Sequence, residues 1–486
     1  MIFQNSKQKK EPKFATQFEG MKIRQLLFTT GIILLIYFFS LAGSGCAQIG
    51  SPTGGPRDSL PPVLMSANPK LDATNFNGNK ITLLFDEYIE VQDVQNNLLV
   101  SPFPKVNPQV DFKLRTVTVK LKDTLLPNTT YAINFGNAIR DNNEGNPFKN
   151  FTYVFSTGPS IDSLQVGGRV ILAETGKTDS TIVAMLYRNV ADSVVEKRKP
   201  DYIARLDSKG DFHFTNLSAG KYKIYALKDG DGSKTYNSKI ETFAFADTEL
   251  TVSDSTAPVT LYAYNEEKEK KAPTAALPVK SITTADKRLR YTSNLNNGSQ
   301  ELLTDLVFTF NHPLKILDTQ KIVLTDSNYN KINAAINVDT TSRVVTIKTK
   351  WLENTAYRLL LDKEAFSDSA GAQLLKSDTL RILTKKESDY GNVLLRFRNI
   401  PTTTHIVLQF VKGEDVFRSI PITTAQWSEK LFFPGDYELR ILYDTNNNGH
   451  WDPGNYDKRI QPEKALSLDN KFTVRANWDN ERDINL

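Results

Sequence analysis

The sequence predicts an all-β protein: tandem β-sandwiches behind a short apolar leader. Three observations predict it. Alternating or β-branched runs recur along the chain, as in Ile81–Phe85, Thr116–Leu121, Tyr222–Leu227, Val344–Lys348 and Tyr437–Leu442. Each is bounded by Asn, Asp, Gly or Pro clusters, the pattern of short strands joined by turns. No long stretch beyond the leader shows a 3.6-residue apolar period, and the chain repeats itself in order and spacing.

The leader comes first. Lys22 and Arg24 precede an apolar run from Leu26 to Ala42, then the small residues Gly43, Ser44 and Gly45, then Cys46. A positive start, an apolar middle and a small-residue cleavage site make a secretory signal. Cys46 stands where the bacterial lipobox, which this segment resembles, places its diacylated cysteine. Gly43 departs from the usual Leu, as in the looser lipoboxes of the Bacteroidetes, and Ser51–Asp58 resembles the tether that follows such cysteines. The other reading is an uncleaved signal anchor, since the run is near the lower limit of about 17–25 residues for a spanning helix. Both readings export the chain beyond Cys46. Met21 is an alternative start to Met1, which would leave residues 1–20 outside the fold.

Charge and cysteine content narrow the function classes. Of the net charge of +5, +4 lies in residues 1–45, where six Lys/Arg face two Asp/Glu. The remainder is nearly neutral with mixed signs, which gives no electrostatic footprint for nucleic acid. A chain with one cysteine forms no internal disulfide, so its domains rest on hydrophobic cores. The length beyond residue 45 suits three or four domains.

The repeat sets the domain plan. Leu83–Asp86 aligns with Phe308–Asn311, Arg115–Lys120 with Arg343–Lys348, Asn128–Tyr131 with Asn354–Tyr357, Asp141 with Asp368, and Thr152–Thr157 with Thr379–Thr384. Phe85 to Arg115 spans 30 residues and Phe310 to Arg343 spans 33, while both Asp-to-Thr intervals are 16. Residues 60–158 and 288–386 are therefore two copies of one module. With Pro62 to Pro69, Phe85–Ile89, Leu125–Tyr131 and Phe155–Thr157, the first copy resembles the S-layer type of bacterial Ig-like domain. The second lacks the Pro-rich opening. Phe85, Tyr131 and Phe155 are expected on the inner face.

Between the copies, residues 164–264 have another pattern. Gly167–Val170 opens a strand, Asp207–Phe214 makes a hairpin-like turn, and Gly210 to Tyr222 resembles the signature of the prealbumin-like, carboxypeptidase-regulatory-like sandwich. Residues 390–486 echo it: Gly435-Asp-Tyr437 matches Gly220-Lys-Tyr222, and Asp444 and Asp229 each follow their tyrosine by seven residues. The expected plan is thus leader 1–45, tether 46–59, a pair of modules, a linker 265–287, and a second pair. Mixed charge in Glu266–Lys271 and the Ala and Pro residues after it favour an extended linker.

One segment carries a metal pattern. In Asp444–Asp452, oxygen-bearing Asp444, Asn446, Asn448 and Asp452 fall at relative positions 1, 3, 5 and 9, with Gly449 at 6 and His450 at 7. This is the opening of an EF-hand-like calcium loop. Asn455 replaces the bidentate Glu at position 12, so any calcium would bind weakly, in the millimolar range of extracellular modules. The competing reading is a turn capped by Asn and Asp side chains. Asp229-Gly-Asp231 is read as a turn, and so are Asp141–Gly145 and Asp368–Gly371.

Catalytic patterns are missing. His213, His312, His405 and His450 have no second ligand at metal-binding spacing, and no nucleophile elbow occurs. Asp86 and Glu87, adjacent on a strand, point to opposite faces. The expectation is a non-catalytic envelope lipoprotein, anchored in the outer membrane through Cys46, with an envelope protein or polysaccharide as partner. The alternative is a glycan-binding adhesion or polysaccharide-utilisation component, with Trp451 exposed beside the Asp444 loop.

Overall fold

A computed structural model describes residues 28–37, 57–188, 191–268, 288–468 and 470–486. The chain divides into two units, Met1–Leu60 and Pro61–Leu486. In the first, residues 28–37 form an exposed helix within the apolar run. No described helix is long and apolar enough to cross a membrane. Cys46 and most of the tether lie outside the described residues.

The second unit is all-β, as the strand patterns predict. Its first sandwich has a sheet ordered Leu64–Asn68, Lys80–Phe85, Thr116–Lys120, Gln109–Lys113, and a facing sheet of Leu99–Ser101, Thr130–Asn134 and Thr152–Ser156. Alternation sends every second residue inward: Ile81, Leu83 and Phe85 are buried, with Val117 and Val119 across from them. Phe85, Tyr131 and Phe155 all lie in this core, and Tyr131 stacks on Phe155 with centroids 5.2 Å apart.

The third sandwich repeats that order, with Tyr291–Ser293, Leu306–Phe310, Val344–Lys348 and Ala335–Val338 in one sheet. Ser299–Gln300, Asp378–Thr384, Ala356–Leu361 and Ile322–Asp326 form the other. The copies share fine detail. Tyr131 Oη accepts from Leu126 N–H at 2.7 Å, and Tyr357 Oη from Leu352 N–H at 3.1 Å. Thr157 and Thr384 donate their hydroxyls to Leu126 and Leu352 carbonyls in turn.

The second and fourth sandwiches form another matched pair. In each the first strand runs parallel to the last: Leu164–Leu172 beside Val259–Asn265, and Gly391–Arg398 beside Asp479–Asn485. The tyrosines of the sequence echo make the same bond four residues back, Tyr222 Oη to Ser218 O at 3.0 Å and Tyr437 Oη to Phe433 O at 2.9 Å. Gly168 is required by close approach, because a Cβ there would lie 2.2 Å from Val259 O and 2.4 Å from a carbon of the Phe212 ring.

The modules do not form a simple string. The fourth sandwich packs against the second through the segment just after the Asp444 loop. Tyr456, 4% exposed, enters an aromatic cluster with ring centroids 5.0 Å from Phe243 and 5.3 Å from Phe245. Its hydroxyl donates to Asp192 O at 2.6 Å and lies 3.1 Å from Tyr225 Oη. Around it, Ala465 N–H donates to Ala173 O at 2.7 Å, and the Lys464 ammonium sits 4.1 Å from the Tyr262 ring centroid. The second sandwich therefore has two apolar faces. Ala184, Leu186, Ile224 and Ala226 fill its own core, while Met185, Tyr187, Tyr225 and Phe243 belong to the outer cluster that Tyr456 completes.

Candidate metal-binding loops

The Asp444 loop begins where the long strand Gly435–Asp444 ends. Asp444 is fully buried, and its carboxylate accepts from the backbone N–H groups of Asn448 at 3.2 Å and Gly449 at 2.7 Å. Asn447 and Gly449 take φ of 61° and 79°, the left-handed turn that Asn and Gly tolerate. Asn446 and Asn448 both donate side-chain N–H to Asp452 Oδ2, each at 2.6 Å. Their own carbonyl oxygens accept from the N–H of Asn448 and of His450 respectively. The loop is thus drawn together by its side chains, and His450 enters through its backbone.

Glu463 closes the loop, and the sequence pattern missed it. It is 5% exposed, accepting from Thr445 N–H and Thr445 hydroxyl, both at 2.7 Å, and from Asp452 N–H at 3.1 Å. The Trp451 indole N–H donates to Glu463 O at 2.7 Å. Trp451 is half-buried against the second sandwich's aromatic cluster, so it is not the open stacking platform that the glycan reading placed beside this loop. Packing between two sandwiches has taken that ring's surface. The exposed tryptophan is Trp478, 59% exposed, under the Arg475 guanidinium.

The equivalent loop of the second sandwich brings three carboxylates together, contrary to its reading as a plain turn. Ligand atoms of Asp229, Asp231 and Glu241 all lie within 4.8 Å of one another. Asp231 is held below its usual range by side-chain donation from Asn237 and by the Ser233 N–H. Burial pushes Glu241 up, with the Asp231 charge adding to it. This cluster already holds a cation, because the Lys234 ammonium pairs with Asp229. The signal was in the sequence: Asp229, Asp231, Ser233, Thr235 and Asn237 place an oxygen at every second residue, and Glu241 comes four residues later.

The remaining candidates are structural. Asp141 accepts from the backbone N–H of Asn143, Glu144, Gly145 and Asn146, and Asp368 from Ala370 and Ala372, which is turn capping in both copies. Asp86 accepts from Val63 N–H at 2.8 Å. His213 Nε2 lies 2.7 Å from Gln165 Oε1.

The strand order and cores define a tandem β-sandwich protein. Residues 58–157 match the bacterial Ig-like domain family, which covers the first sandwich. No curated protein matches the chain. Among solved structures, native alpha-2-macroglobulin from Escherichia coli (domains MG0-NIE-MG1) is similar at 13% identity and TM-score 0.20, over 38% of this chain and 72% of that one. The major pilin subunit BcpA of Bacillus cereus is similar at 11% and 0.17, over 66% and 99%. The N-terminal part of the bacterial S-layer protein SbsC is similar at 16% and 0.15, over 36% and 42%. Scores this low leave the fold resting on strand order and the family match.

Proposed function

We propose that this chain is a non-catalytic envelope lipoprotein, anchored through an acylated Cys46, whose sandwiches form a scaffold presenting surfaces to an envelope protein or polysaccharide. One observation carries the scaffold part. The polar chemistry of the loops, namely buried carboxylates and tyrosine hydroxyls, is spent on turns and, with the aromatic cluster, on the contact between the second and fourth sandwiches. The leader sequence supports the anchor. Exposed edge strands, such as Asp415–Pro421 with Val416 and Phe417 open to solvent, are suited to strand addition by a partner.

Weak calcium binding at Asp444, Asn446, Asn448, His450 and Asp452 belongs to the same proposal, with Glu463 in place of the missing twelfth ligand. Its support is that Asp444 and Glu463 are buried carboxylates with no ion pair among the described residues. Buried negative charge is costly without a cation.

Metabolic labelling with a palmitate analogue tests the anchor. Label in the wild type and none in Cys46→Ala is expected; equal label in both would refute it.

A further inference from the structure

The two Ig-like copies treat the same sheet face differently. In the first copy, Ser101, Ala132 and Val154 lie in register across three strands. Ser101 and Ala132 face Tyr202–Leu206 of the second sandwich across a cleft of about 670 Å³. In the third sandwich the matching row is Thr325, Arg358 and Arg381, with Lys331 bridged to Thr325 on the far side. The neighbours Leu324, Leu359 and Ile382 point into the core and Ile332 packs on it, so Lys331, Arg358 and Arg381 point outward, while Thr325 between them is buried, its hydroxyl donating to Asp326 O and Arg358 O.

Three cations therefore stand on one row perpendicular to the strands. Arg358 and Arg381 are directly opposed across an antiparallel pair, a position where like charges destabilise a sheet. None of Lys331, Arg358 and Arg381 has an ion pair among the described residues. Tyr329, 58% exposed, holds the Arg358 guanidinium 4.3 Å from its ring centroid, which fixes the cation in place. The other outward residues of these strands, Val323, Leu360, Thr379 and Leu383, bring no acid to the face.

We propose that the three cations Lys331, Arg358 and Arg381 bind an acidic polysaccharide through its carboxylate or sulfate groups. The row spans three inter-strand spacings, about 14 Å. Arg358 and Arg381 thus sit about 5 Å apart and Lys331 about 10 Å from Arg358, close to one and two extended sugar residues, and a linear polyanion lying across the strands can meet them in turn. Guanidinium forks match such oxyanions in pairs. A flat sheet face with an exposed tyrosine accommodates a chain better than a compact anion. This goes beyond the scaffold reading and stands whether or not Cys46 is acylated.

The test is titration of the full chain with polygalacturonate, with heparin and with poly-glutamate, beside free sulfate. Saturable binding to one polysaccharide is expected, with the carboxylated and sulfated arms identifying the group preferred. Free sulfate should compete only weakly. The double variant Arg358→Gln/Arg381→Gln should weaken binding by about tenfold or more, the loss of charge-assisted contacts, while its melting temperature stays level or rises slightly. Undiminished binding by the double variant, absence of binding to either polysaccharide, or equal affinity for poly-glutamate would overturn the proposal.

Discussion

The loops after Tyr222 and Tyr437 start from the same place in the same fold and end differently. In the second sandwich, Asp229, Asp231 and Glu241 converge and Lys234 supplies the positive charge. In the fourth, amides and backbone N–H groups surround Asp444 and Asp452, Glu463 seals the loop, and the chain between them delivers Tyr456 into the other sandwich. Both loops take part in the contact between modules, the Asp229 loop through Tyr236 beside Tyr456 and Lys239 paired with Asp457. Only the Asp229 loop neutralises its own carboxylates with its own lysine. The comparison teaches that a ligand-like spacing of oxygens fixes a loop's shape without fixing its use.

The largest effect should come from Tyr456. Replacing it with Ala removes a buried ring and two hydroxyl contacts, and loss of a large aromatic from a packed site costs about 3–5 kcal/mol. Differential scanning calorimetry should show the transition of wild type split or lowered in Tyr456→Ala, whereas Lys234→Ala in the sister loop should shift it far less.

Glu463→Ala ranks next. It leaves the N–H groups of Thr445 and Asp452 without their acceptor, at about 1–3 kcal/mol for buried polar groups left unmade. Chemical denaturation would read this as a lower midpoint, and a variant as stable as wild type would mean that the loop holds without its seal.

The core of the fourth sandwich also sets an alkaline limit. Burial pushes the Tyr437 hydroxyl up to about 12 from its usual 10.0, so the folded state keeps a proton that the unfolded state releases. Its contribution is complete below pH 10 and is lost as pH rises through the interval to about 12. Tyr153 in the first sandwich, raised by burial and the Asp72 charge, acts in the same sense. Tyr437→Phe should flatten part of the fall in melting temperature across that interval.

Calcium gives the smallest expected effect and separates the loops most cleanly. At millimolar calcium a modest rise in melting temperature should persist in Asp231→Asn and vanish in Asp444→Asn. The opposite result would move the metal to the Asp229 loop.

Much of the fold is legible in the sequence because period-2 alternation, as in Lys80–Phe85, identifies a sheet face by chemistry alone. The duplicated modules are visible for the same reason, since Tyr131 and Tyr357 recur with their turns. Val183–Tyr187 shows the limit. An unbroken apolar run announces a strand buried on both faces, yet nothing in it names the fourth sandwich as the cover. Glu463 escaped because it lies 19 residues beyond Asp444, outside any contiguous loop pattern. Lys331, Arg358 and Arg381 are distant in sequence and meet only through strand register. The Asp229 spacing was readable, but it lacks the Asn/Gly run that marks its sister.

The second and fourth sandwiches are held together around Tyr456. Small-angle X-ray scattering of wild type and Tyr456→Ala measures this directly. A larger radius of gyration in the variant than in the wild type is predicted; equal values in the two would contradict a role for Tyr456 in holding the sandwiches together.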